Sequence, residues 1–302
     1  MSRKTKIWLI VASCLVVAGL LLFASVMMAN DWDFTKLSTS KYETSTYTLS
    51  ETFSVINVDT DTADVIFLPS KDGNCTVVCY EMENAQHLVD VQNDSLSIRI
   101  QNSKKWYEYI GINFGTPKIT VSLPQSQYDA LFIHSSTGDV NISKDFQFSI
   151  LDISVDTGDV TNFASVSENM KIKTDTGDIR MENISANTLN LTVSTGDTYL
   201  TNIDCENLMT KGSTGDIVLK NVIAANTFSI ERSTGDVKFD RCDASEIFVN
   251  TDTGNVTGSL LSEKVFITDT STGNISVPQS TSGGKCSVTT STGDIRLELP
   301  VG

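Results

Sequence analysis

The sequence predicts an all-β fold: a parallel β-helix (β-solenoid) of nine 19–20-residue coils with a strand-rich N-terminal cap, preceded by one transmembrane helix. Three observations lead there. The tripeptide Thr-Gly-Asp or Thr-Gly-Asn occurs nine times, with its glycine at 138, 158, 177, 196, 215, 235, 254, 273 and 293. The intervals are 20, 19, 19, 19, 20, 19, 19 and 20 residues, and so regular a period means one supersecondary unit stacked on copies of itself. Apolar residues alternate with polar ones on both sides of each glycine, which reads as strand, turn, strand. No part of the repeats shows a sustained helical apolar pattern. Finally, residues 7–29 form an uncharged run of 23 residues near the N-terminus.

Taken in chain order, residues 1–6 form a short basic N-terminus containing Arg3, Lys4 and Lys6. As a helix, the apolar run at 7–29 would span roughly 35 Å, enough to cross a bilayer. The basic flank before it, with Asp31 and Asp33 after it, places the N-terminus in the cytoplasm and the repeats outside. A cleaved signal peptide is the alternative, although the run is long and lacks a good small-x-small site. A lipoprotein box at Val11-Ala12-Ser13-Cys14 is weaker still, because most of the apolar run follows Cys14. Residues 30–52, rich in Ser, Thr, Lys and Tyr, read as an extended stalk.

Residues 53–128 read as the N-terminal cap that a repeat array requires. Strands are expected at 53–58, 64–68, 76–80, 95–100 and 118–123, and Thr62-Ala63-Asp64 looks like a degenerate first copy of the turn. The aromatic cluster Trp106, Tyr107 and Tyr109 is expected to pack within the cap rather than to form a binding platform.

Residues 129–302 are the repeats. Seven residues before each glycine stand Leu131, Leu151, Met170, Leu189, Leu208, Phe228, Ile247, Phe266 and Cys286, apolar in every copy. Two residues after it stands Val or Ile, with Thr198 the exception. Coils stacked in parallel at about 4.8 Å make these columns a continuous interior, and nine of them a rod roughly 40 Å long. Glycine permits positive φ, and the adjacent Asp or Asn can bond local backbone.

The net charge of −15 makes nucleic acid and anionic lipid headgroups poor partners and leaves cationic ligands, divalent metals or basic polymers electrostatically open. An acidic surface also serves simply to keep a β-rod soluble. Of the six cysteines, Cys286, Cys242 and Cys205 replace inward apolar residues: Cys242 sits where other coils carry Ile184, Ile203, Val222 and Leu261, and Cys205 where others carry Ala186, Ala224 and Ala244. They are expected as small buried hydrophobes. Cys75 and Cys79 lie four apart on one strand, facing one side about 13 Å apart, too far for a disulfide on that backbone.

The sharpest chemical feature is the acidic column after glycine, including Asp159, Asp178, Asp197, Asp216 and Asp236. Carboxylates about 5 Å apart repel by ~0.8 kcal/mol in water and by ~3 kcal/mol at an effective dielectric near 20. Turn hydrogen bonds, splayed side chains or a cation must offset this. Turn chemistry is the favoured account, and a calcium ladder on these aspartates is the alternative. No catalytic residues, other metal ligands or cofactor site are expected. Carbohydrate-active β-helices need loops that wall a cleft, and the uniform intervals leave none; His87 and His134 are the only histidines. One outward column departs from polarity, with Phe132, Met209, Phe248 and Ile267, and this suggests a patch where Phe248 and Ile267 fall in neighbouring coils.

The basic N-terminus, single apolar helix, Phe53-x-x-Ile56-x-Val58 opening, Val121-Ser122-Leu123-Pro124 and repeated Ser/Asp-Thr-Gly-Asp coils together resemble a bacterial "putative adhesin" domain-of-unknown-function family. The chain is similar to proteins encoded beside envelope-stress regulators of the Lia type in Gram-positive bacteria. The resemblance covers residues 53–299 and brings no established site residues. It implies a membrane-anchored extracytoplasmic interaction module, without enzymatic activity, meeting a cell-wall, surface or protein ligand. The alternatives are an accessory of envelope-stress signalling coupled through its membrane helix and, lower, a carbohydrate-active enzyme.

Overall fold

The computed structural model describes residues 2–33, 36, 41–102 and 115–299. Helix α1 (Arg3–Ala29) starts where the Ser2 hydroxyl accepts from Thr5 N–H and ends where Asn30 Nδ2 donates to Val26 O, ahead of positive φ at Asp31 and Trp32. It is long and apolar enough to cross a membrane, and none of its most apolar 18-residue window is buried against the rest of the protein.

Among the described residues after α1, nearly all of the chain is strand and turn, and the strands form one continuous sheet, most of it wound as a β-solenoid. The expected inward columns are the core. Leu151, Leu189, Phe228, Ile247 and Cys286 are fully buried, as are Val160, Ile179, Ile217 and Ile295 on the other side of the corner. All nine glycine corners lie on one stack, and the outermost coil is short, so about eight turns are complete. Where a coil carries a twentieth residue, as at Ala225–Asn226, the register slips locally and recovers in the next pair of strands.

The N-terminal end is built from nine strands: β1 (Tyr42–Leu49), β2 (Val55–Thr60), β3 (Asp64–Pro69), β4 (Cys75–Met82), β5 (Ala85–Gln92), β6 (Ser95–Asn102), β7 (Lys118–Leu123), β8 (Gln127–Thr137) and β9 (Val140–Ile142). β2 and β3 form a true coil whose corner is Ala63. Ile56 pairs with Leu131 on one side and Leu96 on the other, and Val65 pairs with Val140 and Ile119. The coil β6–β7 is therefore outermost although it follows β2–β3 in sequence. Beyond it the parallel pattern stops: β4 pairs antiparallel with β7 and β1, and β5 antiparallel with β6. Antiparallel strands end the stack and cover edges that would otherwise offer unpaired backbone.

Several expectations change. Residues 42–49, read as part of a free stalk, are the paired strand β1; Tyr42 stacks on Tyr80, which ties the segment to the cap. β5 was not foreseen, because polar His87 stands at an inward position and apolar Leu88 at an outward one, which breaks the alternation. In the Gly254 coil, Leu260 rather than Leu261 occupies the Cys242 column, because that coil has one residue fewer after the paired Phe239 and Gly258 and so no counterpart of the positive-φ Arg241. Trp106, Tyr107 and Tyr109 lie outside the described residues, as do residues 300–302.

The C-terminal coils do not stack in chain order. The Gly254 coil pairs with the Gly293 coil (Ile247 with Cys286), and the Gly293 coil pairs on its other side with the Gly273 coil (Phe266 with Cys286). The last coil is thus inserted beneath the one before it. Its inward residues Cys286, Val288, Ile295 and Leu297 are all buried, whereas the Gly273 coil turns Thr268 and Thr270 inward and leaves Ile275 exposed. The more apolar coil takes the position covered on both sides, where burial is worth about 25 cal/mol per Å².

Candidate functional site

The Thr-Gly-Asp corner is a ladder whose geometry explains each of its residues. At the middle corner, Gly196 N–H donates to Thr214 O (2.9 Å) and Thr198 N–H donates to Asp216 O (2.9 Å), both toward the following coil. Between them, the Asp197 N–H points back, and the Asp178 side chain accepts it through Oδ1 at 2.8 Å. A carboxylate oxygen stands in for the main-chain carbonyl that the turn removes. Asp216 N–H meets Asp197 Oδ1 at 2.7 Å in the same way.

This chain of bonds is unbroken from Asp64 Oδ1, which takes the Asp139 N–H, to Asp294 Oδ1, which takes the Asn274 N–H. It confirms Thr62-Ala63-Asp64 as the first corner. It also follows the spatial order at the far end, running from Asn255 to Asp294 and then to Asn274. Asn serves at 255 because its Oδ1 accepts as a carboxylate does.

Glycine is required for two reasons at once. Gly196 has φ +145°, and a Cβ placed there would fall 2.1 Å from Gly177 O. The coils approach so closely at this corner that no side chain fits between them.

The aspartates singled out as a calcium ladder, Asp159, Asp178, Asp197, Asp216 and Asp236, therefore each commit Oδ1 to backbone. Some second oxygens are also engaged: Tyr199 O–H donates to Asp197 Oδ2 at 2.8 Å, and this bond is the main reason the Tyr199 hydroxyl titrates above its usual range. Among the described residues, the column brings no three carboxylates within 4.8 Å of one another. The arrangement matches turn chemistry.

Two further columns escaped the sequence reading. Asn183, Asn202 and Asn221, six residues after glycine, hold positive φ, and their amides bond coil to coil at 2.8 and 2.9 Å. Three asparagines in register were the available signal. Three residues before glycine, Thr174, Thr270 and Thr290 turn inward and donate to a glycine carbonyl of the adjacent coil. Arg232 occupies that column in one coil. Its guanidinium fills the space left by Gly212, donating to Val193 O (3.1 Å) and Thr198 Oγ1 (3.4 Å). Burial lowers its pKa, opposed by Asp197 and Asp216. Thr198, the one polar residue in its column, is there to meet this arginine.

Cys205, Cys242 and Cys286 are buried in the expected columns, and Cys75 and Cys79 face the interior of the cap; all are free thiols. Burial pushes the thiols of Cys75, Cys79, Cys205 and Cys286 up to about 12, and that of Cys242 to about 11. In the outward column, Phe132, Met209 and Ile267 are exposed. Phe248 and Ile267 are not neighbours, however, because Ser287 of the inserted coil pairs with both, and Lys285 lies over the Phe248 ring at 5.1 Å. The proposed patch is broken by the coil exchange. His134 is exposed, as expected for its column.

A protein described as a "putative lipid binding protein" from Parabacteroides distasonis is similar in fold, with TM-score 0.55 and 16% identity over 86% of this chain and 98% of its own. A "putative adhesin" from Parabacteroides merdae is similar with TM-score 0.50 and 11% identity over 86% of this chain and 98% of its own. At these identities the likeness concerns the fold. No curated protein matches this sequence. The model of one family, Toastrack DUF4097, matches residues 53–298, which span the first coil, the cap and every glycine corner. The chain belongs to the Toastrack DUF4097 family.

Proposed function

We propose that this protein is a membrane-anchored, extracytoplasmic interaction module of the cell envelope: α1 holds it in the membrane with the N-terminus cytoplasmic, and the solenoid presents its outer faces to a ligand. The observation that supports this reading most is the uninterrupted coil geometry between Gly138 and Gly254. The faces are flat and carry rows of Ser, Thr, Asn and paired charges, such as Lys171 with Asp152 at 3.1 Å and Lys211 with Glu231 at 2.9 Å. Such a surface binds by repetition along its length, and its net negative charge favours a cationic or polyhydroxylated polymer over nucleic acid. No enzymatic role is assigned to it. The description of the similar Parabacteroides merdae protein as a "putative adhesin" is in line with this reading.

The test uses the full chain reconstituted in vesicles and exposed to cell-wall, membrane and protein fractions. Retention of a wall or surface component, weakened by salt, is expected; retention of none refutes the reading. Protease applied to intact cells should remove a C-terminal tag and spare an N-terminal one. Release of the whole domain with a new N-terminus near Asn30 would contradict anchoring.

A further inference from the structure

Inside the N-terminal cap, β4 and β5 form a hairpin that closes at the Met82–Ala85 pair and then splays, β4 following β7 and β5 following β6. Into the wedge between them point Cys79 and Glu81, two apart on β4 and therefore on one face, and His87 from β5. All three are buried. Glu81 Oε2 accepts from the His87 backbone N–H at 2.8 Å and lies 2.7 Å from His87 Nδ1. The ring's Nε2 is 2.9 Å from the hydroxyl of Thr60, the last residue of β2. Among the described residues this is the only place where three such side chains bring ligating atoms within 4.8 Å of one another.

Hydrogen bonding leaves the cluster unfinished. Glu81 Oε1 is buried and has no hydrogen-bond partner. An orphaned carboxylate oxygen in an apolar wedge is costly, and such groups in native proteins usually mark an ion, a water or a reactive role. Burial, with Glu81 beside it, pushes the Cys79 thiol up to about 12. One thiol, one imidazole and one carboxylate make a donor set suited to a borderline-soft divalent ion.

We propose that Cys79, Glu81 and His87 bind one divalent transition-metal ion of the zinc class in the cap. Tetrahedral zinc with these ligands holds its donor atoms about 3.3–3.7 Å apart, so the longer separations in the cluster, within 4.8 Å, must close by up to about 1 Å, while Glu81 Oε2 and His87 Nδ1, now 2.7 Å apart, must open by about 0.6 Å or yield to Oε1 as the ligand. The ion takes Nδ1 of the neutral ring; the ring proton moves to Nε2, and Thr60 Oγ1 accepts it, fixing the tautomer. The Cys79 thiol proton is released to solvent, leaving a site of zero net charge: one dication against one thiolate and one carboxylate. A water or the second carboxylate oxygen completes the coordination. The ion would lock β4 and β5 onto the end of the first coil, making the cap metal-dependent.

The test is a cobalt titration of the full chain in detergent after chelator stripping. One Co²⁺ per chain, with near-ultraviolet thiolate charge-transfer and visible d–d absorption that Zn²⁺ abolishes, is expected. Saturating Zn²⁺ should raise the melting temperature by about 5 °C. Cys79→Ser should lose the charge-transfer band, while Cys205→Ser, buried elsewhere, should keep it. Should Cys79→Ser fail to fold, Glu81→Gln should retain the band with at least tenfold weaker Co²⁺ binding. A stripped wild type that gives no thiolate band overturns the proposal, as does a band that survives in folded Cys79→Ser or an affinity unchanged in Glu81→Gln.

Discussion

Replacing Gly196 by alanine adds a single carbon at the middle of the stack, and the structure sets what that carbon meets. The backbone at φ +145° is one that L side chains rarely adopt, which costs about 1–3 kcal/mol. The new Cβ would also overlap Gly177 O at 2.1 Å, more than an ångström inside ordinary contact. Relieving that overlap opens the corner between two coils, which are joined there by Gly177 N–H to Thr195 O (3.0 Å), Ile179 N–H to Asp197 O (2.9 Å) and Asp197 N–H to Asp178 Oδ1 (2.8 Å). At about 1 kcal/mol for each bond weakened, the total comes to about 4–6 kcal/mol. For a domain of this size that is a fall in melting temperature of about 10–20 °C, read by circular dichroism on the full chain in detergent. Gly73→Ala is the matched control: its φ is +80°, but nothing lies within 4 Å of the added carbon, so only the backbone cost of about 1–2 kcal/mol remains. Equal losses from the two substitutions would refute the close-approach argument and leave only torsional strain.

Three other outcomes follow from the same geometry. Asp197→Ala removes the acceptor of the Asp216 N–H and should destabilise by about 1–3 kcal/mol in denaturant titrations, whereas Asp197→Asn should cost under about 1 kcal/mol, because Asn255 already accepts the Asp294 N–H. A calcium-induced rise in melting temperature that Asp197→Asn reduces would instead favour the calcium ladder. For the exchanged coils, cysteine pairs at Thr253/Thr292 and Thr272/Thr292 should oxidise to disulfides, since both pairs are directly opposed, while Thr253/Thr272, one coil further apart at about 9.6 Å, should not. Gel mobility of the full chain reads the result, and cross-linking of the last pair alone would restore chain-order stacking. For pH, the buried thiols hold their protons to about 12, or about 11 for Cys242, while in the unfolded chain thiols ionise near 8.5–9. Above that pH the unfolded state binds fewer protons than the native one, so stability is full below about pH 9 and falls as pH rises toward 12. A melting temperature flat across that window would contradict thiol burial.

The solenoid was legible because its determinants are local and repeated. The columns at Leu189 and Ile217 alternate with period two, and the glycine stands at every turn. What a column of glycine and aspartate means physically was less legible, since the backward-pointing N–H of Asp197 becomes visible only when two coils are juxtaposed. Thr198 stood out only as the exception in its column; its meeting with Arg232 over Gly212 joins residues 14 to 34 positions apart. The cluster of Cys79, Glu81 and His87 was hidden for a similar reason. No motif spacing links Thr60 to His87; the splay of a hairpin that the repeat does not encode brings them together. The order of the last coils was hard to read, because the Gly273 and Gly293 corners carry equivalent turn residues and only the polarity of inward positions such as Thr268 against Val288 tells them apart.

That exchange bears on how the chain assembles during synthesis. From the Gly138 coil through the Gly254 coil, each newly made segment can dock on the one before it as soon as it emerges. The Gly273 segment cannot, because its partner surface belongs to residues 284–298, which are made after it. Until then the growing rod ends in the bare edge of the Gly254 coil, a template for any extended strand nearby. Residues 284–298 act as a key that fills this edge and seats the waiting segment over them in one step. A chain halted before residue 284 would expose that edge permanently, a liability set by the order of the coils rather than by any one residue.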